Sequence, residues 1–130
     1  MEKLTDKKCV PCEGGIQPFT EAQITEYLAQ LNPSNTSGPS EWEACPVEPR
    51  SGLYGVVDGK GMKIKRHFKF KDFTEAIAFV NKVAQIAEQE GHHPDITINY
   101  NKVTIELWTH SIGGLSENDF ILASKIELLV

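Results

Sequence analysis

The stretch Ile96-Thr97-Ile98-Asn99-Tyr100-Asn101-Lys102-Val103-Thr104-Ile105-Glu106-Leu107-Trp108-Thr109-His110 decides the fold. Apolar and polar residues alternate on both sides of Asn101-Lys102, and a period of two belongs to a strand with one buried face. Ile96, Ile98 and Tyr100 share one face of the first strand. Val103, Ile105 and Leu107 share a face of the second, with Thr104, Glu106, Trp108 and His110 opposite. A tight turn at Asn101-Lys102 makes the two an antiparallel hairpin and sets His110 close to His93.

Before the hairpin the period changes to that of a helix. Asp72 stands at an N-cap with Glu75 three residues on, and Gly91 stands where a left-handed residue ends a helix, which predicts a helix from Phe73 to about Glu90. Phe73, Ile77, Val80, Ala84 and Ala87 form one apolar stripe on it; Phe79, Val83 and Ile86 form a second. Two stripes imply two burial partners, the chain's own sheet and a second subunit. Upstream, Met62 to Phe70 alternates again, with Met62, Ile64, Arg66, Phe68 and Phe70 on one face and Lys63, Lys65, His67 and Lys69 on the other.

After the hairpin, Gly113-Gly114 breaks the strand. Ser116 at N-cap, Asp119 at N3 and the pair Leu115 and Phe120 then open a last helix running to about Leu128. The same signals, Thr20 with Gln23 and Phe19 with Ile24, open a first helix from Glu21 to Leu31, which Pro33 closes. Asn32 to about Glu41 reads as a loop, Trp42 to Ala44 as the start of a short strand, and Cys45 to Gly52 as irregular. Leu53 to Val57 is a strand candidate ahead of an Asp58–Gly61 turn. Long helices on one side of a small, mainly antiparallel sheet make an α+β domain.

The chain of 130 residues is one domain, residues 1–130, with a polar N-terminal segment over residues 1–18. Thirteen Lys and Arg against eighteen Asp and Glu leave a net charge of −5, which argues against a nucleic-acid binder that works by neutralising phosphates. No apolar run approaches a membrane span, and Met1–Lys8 has no apolar core of a secretory signal, so a cytoplasmic protein is expected. Cys9, Cys12 and Cys45 are an odd set, and Cys9-Val10-Pro11-Cys12 has no second pair with which to build a structural zinc site.

Chemistry concentrates at one end of the hairpin, where His92, His93 and His110 are expected to meet. Imidazole is the side chain suited to moving protons near neutral pH. Glu88, one helical turn before His92, and Asp95, just after Pro94, are each placed to orient an imidazole. A histidinium capping a helix C-terminus and a three-histidine metal site are the competing readings. Adjacent residues rarely ligate one ion, and HxH and HxxxH spacings are absent, which speaks against metal. GxSxG, GxxxxGK[ST] and GxGxxG are absent as well. The residues themselves point to a proton-transfer or binding site that needs no cofactor.

Glu88-x-x-x-His92-His93-Pro94, Tyr100-Asn101-Lys102-Val103, Thr109-His110 and Gly114-Leu115-Ser116-Glu117-x-Asp119 together resemble the pterin-4a-carbinolamine dehydratase family. Phe68-Lys69-Phe70-Lys71-Asp72-Phe73 and Ala78-Phe79-Val80 also fit. The resemblance covers about Trp42 to Glu127 and is strong from Arg66 onward. It implies an α+β domain with a four-stranded antiparallel sheet and helices on one face. It also implies a hydro-lyase that converts 4a-hydroxytetrahydrobiopterin to quinonoid dihydrobiopterin and water. Such an enzyme supports tetrahydrobiopterin recycling beside aromatic amino acid hydroxylases.

On that resemblance His92 and His110 are the acid–base groups and His93 orients the pterin. Glu88, Gly91, Pro94, Trp108, Thr109, Ser111 and Asp119 are expected to contact the substrate. No metal or cofactor is implied. The family assembles as homodimers or homotetramers, and its animal members add a nuclear role as dimerisation cofactors of a homeodomain transcription factor. A non-catalytic interaction module is therefore the alternative reading. The sequence departs from the family at Gly91, at Ile96 and in residues 46–58, which read as an insertion.

Overall fold

Thr20 and Gln23 form a reciprocal cap: the Thr20 N–H donates to Gln23 Oε1 at 3.0 Å and the Gln23 N–H to Thr20 Oγ1 at 3.3 Å. Helix α1 (Glu21–Leu31) starts there, with the boundaries its signals predict. The computed structural model describes Leu4 and residues 18–31, 42–46, 62–109 and 112–129. The strand expected at Leu53–Val57, its turn, most of the inserted segment, Cys9 and Cys12, His110 and Ser111 lie outside the described residues.

The other elements are β1 (Glu43–Pro46), β2 (Met62–Lys69), α2 (Phe73–Glu90), β3 (Asp95–Asn99), β4 (Lys102–Leu107) and α3 (Glu117–Glu127). The four strands form one antiparallel sheet in the order β1-β2-β4-β3, so the fold is α+β. Its inner face is the one the alternation named: Ile64, Val103, Ile105 and Leu107 are fully buried, while His67 and Lys69 on the outer face are exposed. Cys45 and Pro46, expected to be irregular, extend β1. Among the described residues it is an edge strand paired with β2, and Pro46 ends it, where a missing N–H costs no central ladder bond.

The hairpin turn lies one residue earlier than expected. Asn99 faces Lys102, so Tyr100-Asn101 is the turn. Tyr100 adopts the left-handed conformation (φ 54). Asn101 is held to the end of β2: its side-chain amide donates to the Phe70 carbonyl at 2.9 Å, and its carbonyl accepts the Phe70 N–H at 2.8 Å. Moving a turn by one residue moves the pairing by two, so every side chain keeps its face. The paired register ends at Asp95 and Glu106; His93 precedes it, and His110 lies outside the described residues.

Arg66, the one charge on the inner face of β2, meets Glu127 at the end of α3, and the same carboxylate oxygen accepts the Trp42 indole N–H at 2.6 Å. The guanidinium also lies over the Phe68 ring, 4.5 Å from its centre. A buried cation is tolerated with these partners and would be costly without them.

Helix α2 buries Ala76, Phe79, Val83 and Ala87. Ala87 therefore belongs to the core and not to the outer stripe. Phe73 is half-exposed and Ala84 exposed, with Ile77 and Val80 intermediate. Helix α3 is buried nearly all round, from Asn118 to Ser124 and at Ile126, because α1, α2 and the sheet surround it.

Helix α1 is joined to α3 by Phe19, whose ring contacts both Tyr27 and Phe120, and by the Tyr27 hydroxyl, which donates to Glu117 Oε2 at 2.7 Å. That hydrogen bond, with burial and the charge of Glu117, pushes the Tyr27 phenol up to about 12. The raised value favours the protonated phenol in the folded chain. Its contribution is complete below the ordinary value of 10.0 and is lost as pH rises through about 12. Tyr27→Phe is expected to lower the melting temperature at pH 8, and thermal melts should show its deficit shrinking between pH 10 and 12.

Candidate active site

The site begins where α2 ends. Gly91 takes the left-handed conformation (φ 65), and its N–H and that of His92 (3.2 Å) both turn back to the Ala87 carbonyl. This terminator reverses the chain within one residue and sends His92 and His93 in different directions. Pro94 then restricts His93 to extended backbone and leads into β3.

His92 points inward. Its side chain is 13% exposed, and Nε2 lies 2.5 Å from Oδ1 of Asp119, which is fully buried. A carboxylate only accepts, so Nε2 carries the hydrogen and donates it. Asp119 is the N3 residue of α3. Its other oxygen, Oδ2, accepts the Ser116 backbone N–H at 2.9 Å and the Thr109 hydroxyl at 2.9 Å. The Thr109 and Ser116 hydroxyls are 2.8 Å apart. One carboxylate thus caps a helix and holds an imidazole.

His93 points outward. Its Nε2 lies 2.7 Å from Glu88 Oε1, and both side chains are largely exposed. Glu88 is therefore the carboxylate that meets His93, as the spacing allowed. Asp95 lies exposed at the start of β3, opposite Glu106, and it is Asp119 of α3 that takes His92. Lys125 pairs with Glu90 and ties the last turn of α2 to α3 just before the histidines.

Beyond β4, Trp108 is half-buried and Thr109 buried. Thr109 bridges to Gly114, with N–H to carbonyl at 2.8 Å, and Gly113 turns through φ 67. The Phe19 N–H donates to the Leu115 carbonyl at 2.8 Å, so the lead-in to α1 braces the residue that follows this bridge. The structure thus gathers His92, Asp119, Thr109 and Ser116 in one buried network and His93 with Glu88 beside it. Gly91 and Pro94 shape the turn between them.

Ser116 was legible only as a cap, and the link from Asp119 to His92 was not legible from spacing. The available signal was the short carboxylate at N3 after a Gly-Leu-Ser lead-in, where a capping box ordinarily carries Glu or Gln. Among the described residues, no group of three His, Cys, Asp or Glu is placed to hold a metal ion, and no helix is long and apolar enough to cross a membrane.

Residues 17–129 match the sequence model of the family described as pterin 4 alpha carbinolamine dehydratase. A Rickettsia bellii protein provisionally named as a pterin-4-alpha-carbinolamine dehydratase is 44% identical over 126 residues, covering 97% of this chain and 93% of its own. A Nitrosospira multiformis protein with the same provisional name is 40% identical over 129 residues, covering 99% and 94%. The crystal structure of a transcriptional coactivator/pterin dehydratase from Brucella melitensis superposes with a TM-score of 0.64 at 33% identity, over 87% of this chain and 98% of that one. The chain belongs to the pterin 4 alpha carbinolamine dehydratase family.

Proposed function

We propose that this protein is a cytoplasmic dehydratase that converts 4a-hydroxytetrahydrobiopterin to quinonoid dihydrobiopterin and water, and so serves tetrahydrobiopterin recycling after an aromatic amino acid hydroxylase. The observation that carries this reading is the buried His92–Asp119 pair at 2.5 Å, set at a helix terminator beside a second histidine. An imidazole backed by a carboxylate is an arrangement that general acid–base catalysis uses repeatedly.

The reaction breaks the C4a–O bond and removes one ring N–H proton. One group must protonate the departing hydroxide and another must accept the ring proton; the products are water and the quinonoid ring. His92 and His110 take these roles, and His93, held by Glu88, orients the pterin. Trp108, Ser111, Gly91 and Pro94 line the place where the flat ring lies. Thr109 and Asp119, both buried, act from behind His92.

A second reading, an interaction module, is favoured by the coactivator wording attached to the Brucella structure and by exposed apolar side chains. Phe73 is 50% exposed, Tyr100 67% and Ile98 37%. Phe73 stands at the start of the outer stripe of α2, and Ile98 on the edge strand β3, where a second copy of the chain would pack. Light scattering after size exclusion should give a dimer or tetramer; a monomer at micromolar concentration would remove that part of the reading.

The deciding experiment follows the dehydration of freshly generated 4a-hydroxytetrahydrobiopterin, with the spontaneous reaction as baseline. Wild type should accelerate it, and His110→Ala should lose most of the acceleration while keeping its fold. No acceleration over baseline would overturn the enzymatic reading and favour the interaction module.

A further inference from the structure

We propose that Asp119 holds His92 in its Nε2–H tautomer, so that Nδ1 is the ring atom that exchanges protons with the substrate, and that Thr109 is the positioning residue that keeps Asp119 aimed at His92. The proton exchange rests on the dehydratase reading; the tautomer does not.

The hydrogen inventory of the network has one solution. Oδ2 of Asp119 accepts from the Ser116 backbone N–H and from the Thr109 hydroxyl, and Oδ1 faces His92 Nε2. Thr109 has one hydroxyl hydrogen and spends it on Asp119, so the Ser116 hydroxyl, 2.8 Å away, must be the donor to Thr109. Every donor then points toward the carboxylate: Ser116 to Thr109, Thr109 to Oδ2, His92 to Oδ1. Neither hydroxyl then donates to Nε2, and the carboxylate only accepts. A neutral His92 therefore keeps its lone pair on Nδ1, the nitrogen turned away from Asp119.

Thr109 is suited to holding this arrangement. It is 4% exposed, and its backbone is fixed by the bridge to Gly114. Two donors on Oδ2 keep the carboxylate from rotating, so Oδ1 stays on the imidazole. Thr109 also immediately precedes His110 in the chain, so one buried residue borders both proposed acid–base groups.

The test is two-bond 1H–15N correlation spectroscopy of the histidine side chains in 15N-labelled full-length protein, without substrate, at a pH where His92 is neutral. His92 signals are identified by their absence in His92→Gln. Wild type should show protonated Nε2 and bare Nδ1. In Asp119→Asn the amide oxygen should stay on the Ser116 and Thr109 donors. The amide NH2 then faces Nε2, and His92 should switch to the Nδ1–H form. Thr109→Val should keep the Nε2–H form, because the carboxylate still only accepts, but should loosen its aim and lower kcat roughly tenfold with little change in KM, the size of one hydrogen bond to a charged group. Thr109→Ser, which keeps the hydroxyl donor, should bring kcat to within about twofold of wild type.

An Nδ1–H form in wild type, an unmoved tautomer in Asp119→Asn, or a Thr109→Ser variant no better than Thr109→Val would each overturn the proposal. The two readings fail separately. Expected spectra without any catalysed dehydration would remove the proposed substrate and leave the His92 assignment standing. Catalysed dehydration by a protein with the opposite tautomer would leave the dehydratase standing and overturn this inference alone.

Discussion

His92→Ala is expected to lower the catalysed dehydration rate by roughly 10²–10⁴-fold, the usual worth of one positioned acid–base group. The size follows from how completely the imidazole is held. It is largely buried, its Nε2 is committed to Asp119 at 2.5 Å, and the helix terminator at Gly91 aims it. The adjacent His93 does not replace it, because it reaches outward to Glu88 and faces solvent.

The alanine variant also leaves Oδ1 of a buried carboxylate without its donor, which costs about 1–3 kcal/mol of stability. His92→Gln separates the two effects, because a side-chain amide can still donate to Asp119 but cannot transfer a proton. The glutamine variant should melt near wild type and be as slow as the alanine one. Thermal melts beside the dehydration assay check this. A glutamine variant retaining wild-type rates would remove His92 from the chemistry.

Phe120→Ala is expected to cost about 3–5 kcal/mol, a large part of the ~5–15 kcal/mol that holds a domain together. Phe120 is fully buried. Its ring stacks on Phe19 at 5.9 Å and tilts against Tyr27 at 5.2 Å, so it is the apolar part of the contact between α1 and α3, beside the Tyr27–Glu117 hydrogen bond. Its neighbour Asp119 holds His92, and Phe19 braces the Leu115 carbonyl beside the Thr109–Gly114 bridge. The cavity should therefore loosen the site as well as the core. Calorimetry should find a melting temperature lower by roughly 10–20 °C. Catalytic activity should decline on heating before the main transition. Phe120→Leu, which keeps most of the volume, should lose much less.

The helix ends were legible because caps are local. Asp72 with Glu75, Thr20 with Gln23, Ser116 with Asp119, and Gly91 each satisfy or redirect backbone groups within one turn, and all four stand where their signals put them. The faces of the sheet were legible for a related reason. Alternation survives any even shift of register, so Val103, Ile105 and Leu107 are buried although the turn lies one residue early. The turn itself depended on Phe70, thirty-one residues from Asn101, and no local preference reports such a contact.

The two stripes on α2 were visible in the chain, but their division was not. Ala76 and Ala87 line the core, and Phe73 looks out, because the position of α3 selects the covered face. The site divides in the same way. The sequence alone carried which residues were available: a histidine pair at a helix terminator, a carboxylate at the start of the next helix, a threonine before a third histidine. Tertiary packing alone decided that His92 meets Asp119 across twenty-seven residues, and that Thr109 serves the carboxylate from inside the core. Local periodicity encodes which way a side chain faces its own sheet or helix. Partners from different elements are chosen only when those elements pack, where a buried carboxylate must find a donor for each oxygen.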